Sequence, residues 1–109
     1  MITWEDFEKL DIRCGTITEV FDFPKAKRPA YQLRIDFGKE GFKNSSAQIT
    51  ALYTKEELLN KQVIAVINFP PKRIADFTSE CLVLGVYNEN NDVILLETGI
   101  RTANGSKIG

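Results

Sequence analysis

The chain has 109 residues, of which 43% are apolar and 27% charged, with two cysteines, no histidine and a formal net charge of −1. That length supports one domain with one modest core, and the near-zero charge gives no global field to draw in nucleic acid or a membrane surface. Without histidine there is no Ser-His or Cys-His nucleophile pair and no His-ligated metal, so composition argues against an enzyme.

The first element is a short helix over Thr3 to Leu10. Thr3 can cap it, Asp6 sits where a capping box needs a carboxylate, and Trp4, Phe7 and Leu10 recur at helical spacing. That apolar stripe serves either as a lid on the core or as part of a subunit contact. Ile12 to Phe23 is β-branched and aromatic and reads as a long strand, with Gly15 marking a bulge or sharp bend. Pro24 to Pro29 is a basic loop. Ala30 to Phe37 alternates cleanly, with Tyr31, Leu33, Ile35 and Phe37 on one face. Gly38 to Gly41 connects it to a more polar returning strand, Phe42 to Thr50.

Thr54 and Glu57 form a second reciprocal cap, opening a helix that Asn60 stops. Gln62 to Asn68 is a buried strand ended by Pro70-Pro71, since neither proline can donate to a ladder. Glu80 to Tyr87 is a strand, Asn88 to Asp92 a turn, Val93 to Glu97 a further strand, and Asn104-Gly105 a tight turn. The order predicts an all-β protein: a five-stranded OB-fold barrel with a short helix between strands 3 and 4, a short N-terminal helix and extra C-terminal strands. An SH3-like barrel is the nearest rival, but it usually lacks the capped helix. Residues 1–109 read as one domain, beginning and ending with the chain.

Cys14 and Cys81 lie in separate apolar runs with no CxxC. They can be core fillers, a disulfide pair or reactive thiols, and two thiols alone fall short of a zinc site. The N-terminus is acidic and amphipathic, unlike a signal peptide, and no apolar run approaches the ~18 residues of a membrane span. A cytoplasmic protein with no membrane insertion is expected.

Charge is uneven. Residues 1–24 carry two basic and six acidic side chains, whereas residues 25–43 carry six basic and two acidic. Lys25, Lys27 and Arg28 cluster in the first loop, and Lys72-Arg73 follows Pro70-Pro71. The cluster is either a solvated loop or an edge that binds anions or a partner, the latter made more interesting if the fold brings Lys72-Arg73 alongside. Phe23, Tyr31, Phe42 and Phe69 lie among these cations, an arrangement that suits single-stranded nucleic acid, although most occupy strand positions that suit a core. No carboxylates stand at a catalytic spacing, Ser45, Ser46 and Ser79 have no activating base, and no cofactor motif is present. No catalytic residue, metal or cofactor is expected.

The blocks Asp11-Ile12-Arg13-Cys14-Gly15-Thr16-Ile17, Pro24-x-Ala26, Asp36-Phe37-Gly38, Tyr53-Thr54-x-Glu56-Glu57-Leu58 and Asn68-Phe69-x-Pro71-Lys72 resemble, in order and over nearly the whole chain, the tRNA-binding domains of the EMAP-II type. Ser45 to Thr50 and Asn68 to Arg73 resemble a stand-alone branch of that family whose member is a secretion-related chaperone. The resemblance implies an OB-fold and a homodimer that binds unfolded preproteins and assists the export machinery. Its peptide- or tRNA-binding residues would be Lys25, Lys27, Arg28, Asn68, Phe69, Lys72, Arg73 and Ser79. The alternative it implies is a structure-specific tRNA binder using basic loops 25–28 and 72–73. The chain departs from the tRNA-binding pattern Ser-x-Gly-Met, which is Ser79-Glu80-Cys81-Leu82 here, and Ala47-Gln48 replaces the relatives' Ser-Gly.

Overall fold

In the computed structural model, which describes all 109 residues, the longest strand organises the rest. Strand β1 (Ile12–Asp22) pairs antiparallel along its first half with β4 (Gln62–Val66) and along its second half with β2 (Tyr31–Asp36). Strand β3 (Phe42–Ala47) pairs with β2, and the short β7 (Leu82–Val83) pairs with β4, so the sheet runs β3-β2-β1-β4-β7. Residues 79–83 return against the free edge of β3 and nearly close an OB-type barrel, where the Glu80 N–H donates to the Asn44 carbonyl at 2.8 Å.

Two helices begin where the sequence places them. Helix α1 (Trp4–Glu8) carries the Thr3–Asp6 capping box and α2 (Lys55–Leu58) the Thr54–Glu57 box, each with both reciprocal bonds formed. Helix α2 lies between β3 and β4, as an OB-fold requires, and Asn60 follows it at φ 68°. Leu58, the one buried residue of α2, plugs the barrel core beside Ile17, Leu33, Ile35, Phe37 and Val63.

A second, smaller cluster lies on the outer face of β1 and β4: Ile12, Cys14, Ile64 and Val66, covered by Phe7, Leu84 and Ile108. Of the α1 stripe, only Phe7 acts as this lid. Trp4 is 81% exposed and meets Phe7 edge to face at 6.5 Å, and Leu10 also faces outward. The cysteines are free and buried in separate clusters, Cys14 in the outer one and Cys81 in the barrel. Burial pushes the Cys81 thiol up to about 12.

Three local expectations differ from the structure, and one hairpin has no counterpart among them. The register break of β1 falls between Ile17 and Glu19; Gly15 instead lies flat beneath the Phe37 ring, where a Cβ would come within 2.7 Å of Phe37 and Ile35 carbons. Strand β3 stops at Ala47, not Thr50. The run Glu80 to Tyr87 splits at Leu84: β7 stays with β4, while β8 (Gly85–Tyr87) swings out to pair with β9 (Val93–Leu95), because the Leu84 N–H bonds Ile64 on one side and its carbonyl accepts from Leu96 on the other. Finally, residues 72–79 form a hairpin of β5 (Lys72–Ile74) and β6 (Phe77–Ser79), turned by Ala75 at φ 53°.

The C-terminal segment completes the unpaired edge of β1. Gly105, Ser106 and Ile108 exchange main-chain bonds with Cys14 and Ile12 at 2.8–3.0 Å, anchored through buried Gln62, which hydrogen-bonds Thr98, Thr102 and Asn104.

Candidate ligand-binding face

The β5–β6 hairpin leans on the basic loop 24–29 through two contacts. Phe77 packs edge to face on Phe23 at 5.4 Å, and the Lys25 ammonium pairs with the Asp76 carboxylate at 3.2 Å. The Lys25 contact holds the Asp76 carboxyl below its ordinary range. Together they bring the two basic loops to one cleft of about 540 Å³, walled by Lys25, Lys27, Arg28, Lys72 and Arg73 and floored by Ala30 and Ile74. Arg73 is oriented by donating from Nη1 to the Thr78 hydroxyl at 2.9 Å.

Lys72 and Ile74 also border a second hollow, of about 490 Å³, formed by Phe69, Pro70, Ser79, Glu80 and Leu82. Phe69 is 49% exposed there, an apolar ring offered to solvent beside a lysine. Ser79 is held at the seam of the barrel, its hydroxyl accepting the Ser46 N–H at 3.0 Å. Leu82 then leads into a third hollow, of about 340 Å³, which is mainly apolar: Val83, Leu84, Tyr87, Val93 and Leu95 line it. Gln48 borders all three. The cationic cleft and the apolar groove are therefore one continuous face.

Of the residues expected to bind a ligand, Lys25, Lys27, Arg28, Phe69, Lys72, Arg73 and Ser79 lie on this face. Asn68 does not. Its carboxamide accepts the Asp11 N–H at 2.9 Å and donates to the Lys9 carbonyl at 2.8 Å, fastening the end of α1 to the end of β4. Gln48, Glu80 and the apolar wall from β7 to β9 were not anticipated as site residues. The block Ser45 to Thr50 stood out in the sequence, but only the return of residues 79–85 beside it makes it part of a cleft. No group of three or more His, Cys, Asp or Glu side chains is placed to hold a metal ion, and no helix is long and apolar enough to cross a membrane.

The fold is thus an OB-type barrel whose rim joins a cationic cleft to an apolar groove. The chain belongs to the family described as "Putative tRNA binding domain", whose model matches residues 12–107. It resembles the CsaA chaperones over its full length. The crystal structure of CsaA from Picrophilus torridus is 55% identical, with a TM-score of 0.94 and complete coverage of both chains. That of CsaA from Bacillus anthracis str. Ames is 51% identical, with a TM-score of 0.94 and coverage of 100% of this chain and 99% of that one. Among curated relatives, methionine–tRNA ligase of Pyrococcus horikoshii is 39% identical over 95 residues, 87% of this chain. The chain spans only 13% of that ligase's length.

Proposed function

We propose that the protein is a single-domain, non-catalytic, cytoplasmic homodimer that binds unfolded preproteins and holds them for export. The observation that carries this reading is the continuity of the cationic cleft with the apolar groove. Unfolded segments expose apolar side chains that a folded protein hides, and a groove lined by Leu82, Leu84, Tyr87 and Val93 offers them area, while nearby cations add long-range attraction. The full-length likeness to CsaA chaperones supports the same reading. Lys27, Arg28, Lys72 and Arg73 steer the client, and Phe69 supplies contact. The outer face of α1 supports a subunit contact, since Ile2 and Trp4 stand largely in solvent beside Phe7 and Gly109. The decisive experiment is suppression of aggregation of a chemically denatured client together with light scattering. Suppression by a species of twice the monomer mass is expected; failure to bind any preprotein peptide sinks the reading.

A second reading is favoured by a different observation, the convergence of five cations from two loops in a member of a tRNA-binding family. Here the cleft binds phosphates of tRNA, with affinity that falls steeply with salt. A gel shift with total tRNA at low salt tests it, and no shift at tens of micromolar protein removes it.

A further inference from the structure

The barrel closes at a seam between β3 and residues 79–83, and the hydrogen bonds of that seam run out at one residue. In an antiparallel strand successive residues turn their main-chain groups to opposite edges. Asn44 and Ser46 turn theirs toward the seam. The Asn44 carbonyl accepts from the Glu80 N–H, the Asn44 N–H donates to the Glu80 carboxylate at 2.9 Å, and the Ser46 N–H donates to the Ser79 hydroxyl. Gln48 is next in the same row. Ala47 and Ile49 on either side of it are buried while Gln48 is exposed, so the alternation of an extended strand continues past the last paired residue. Yet neither Gln48 nor Ile49 takes part in any main-chain hydrogen bond. Past Leu84 the chain enters the β8–β9 hairpin, and Gln48 faces residues 82–85 across the apolar groove without a main-chain bond to them.

An unpaired strand edge is a template for another strand, and strand addition is a general way to grip a peptide through its main chain, independent of sequence. We propose that an extended client segment pairs its main chain with the Gln48 edge, with an acidic residue of that segment in the Lys25–Arg73 cleft and an apolar residue in the groove. Charge complementarity fixes the acid, because the cleft is lined by five cations and no carboxylate, and of the acids beside it Asp76 is engaged by Lys25 and Glu80 by the Asn44 N–H. Gln48 borders both hollows, and a strand repeats its side chains on one face every ~7 Å, so one short segment reaches both. This inference rests on the reading of the protein as a binder of unfolded chains and specifies which segments it takes and how.

The test uses fluorescent peptides that share one apolar centre and carry aspartate, serine or lysine flanks, together with two variants of the full chain. Gln48→Pro deletes an N–H that serves no internal bond, and the extended residue before it suits proline, so the fold is expected to survive. Gln48→Ala keeps the N–H and removes only the side chain. The aspartate-flanked peptide should bind about tenfold tighter than the lysine-flanked one, lose about tenfold with Gln48→Pro and change less than about twofold with Gln48→Ala. N-methylation of alternate residues along one edge of the peptide should weaken binding as Gln48→Pro does, which serves should that variant fail to fold. Equal binding of all flanks, or indifference to both Gln48→Pro and N-methylation, overturns the inference and leaves peptide binding standing. Binding of tRNA with no peptide bound overturns both.

Discussion

The Lys25 ammonium lies 3.2 Å from the Asp76 carboxylate, joining the first basic loop to the turn of the β5–β6 hairpin across the mouth of the cleft. Both side chains are more than half exposed, so the pair adds little to stability, but it places a neutralising charge against one of the cleft's cations. Asp76→Asn should leave the melting temperature unchanged and free Lys25 for a ligand. An anionic ligand should then bind about two- to threefold tighter at low salt, with the gain vanishing as screening shortens the Debye length. Titrations at two ionic strengths check it.

Lys27 and Arg28 line the same cleft without a carboxylate partner. Reversing both charges therefore breaks no internal contact. Lys27→Glu/Arg28→Glu should melt like the parent while losing about tenfold or more in affinity for an acid-flanked peptide or for tRNA. Unchanged affinity would place the ligand elsewhere.

The parts of the fold legible in the sequence were those fixed locally. Thr3 with Asp6 and Thr54 with Glu57 specify their caps within four residues, and the alternation of Tyr31 to Phe37 specifies its own buried face. What the sequence hid was set by distant partners. Gly15 looks like a bulge because glycine permits one, whereas its reason for being there is Phe37, which approaches only after β2 folds back on β1. Lys72 to Ser79 carries too few residues per strand for a period-2 signal, and its hairpin depends on Phe23 and Lys25. The same holds for the site. Its cations were visible as a charge run, while Gln48 borders the hollows only because of where residues 72–85 come to lie.

Gly15 gives a direct measure of that close approach. A Cβ there would lie 2.6 Å from Phe37 Cδ1 and 2.7 Å from Ile35 Cγ2, both on fully buried side chains that have no room to retreat. Gly15→Ala should cost about 1–3 kcal/mol through overpacking, read as a lower denaturant midpoint with an unchanged slope.

Gln62 holds the C-terminal segment from inside. It is 3% exposed, donates from Nε2 to the Thr102 carbonyl at 2.8 Å and to Asn104, and accepts from the Thr98 hydroxyl at 2.7 Å. Thr16 extends the network by donating to Asn104, and Arg101 in turn donates to the Thr16 hydroxyl. Gln62→Leu keeps the volume and strips these partners, costing about 1–3 kcal/mol for the groups left unpaired. Hydrogen exchange should quicken at the Cys14, Gly105 and Ile108 amides, which depend on that segment, and stay slow along β2 and β3.

Stability against pH should be asymmetric, and Cys81 sets the steeper limb. At the acid end, the Thr3 N–H holds the Asp6 carboxyl below its usual range, the Thr54 N–H does so for Glu57, and Lys25 for Asp76. Each contributes above its ordinary pKa and is lost as pH falls through the lowered one, so a shallow decline begins below ~4. At the alkaline end, the Lys55 ammonium is raised by its hydrogen bond to Asp22, but that pair is exposed and its effect small. Cys81 differs because burial raises it from 9.0 to about 12. The unfolded chain releases that proton first, so stability is retained below 9 and falls as pH rises toward 12, by up to about 1.4 kcal/mol per pH unit. Cys81→Ala should flatten the alkaline limb while leaving the acid limb intact. Urea titrations at intervals from pH 3 to 11 test this, and a parent protein whose stability holds level from pH 9 to 11 would contradict the burial of a neutral thiol at that position.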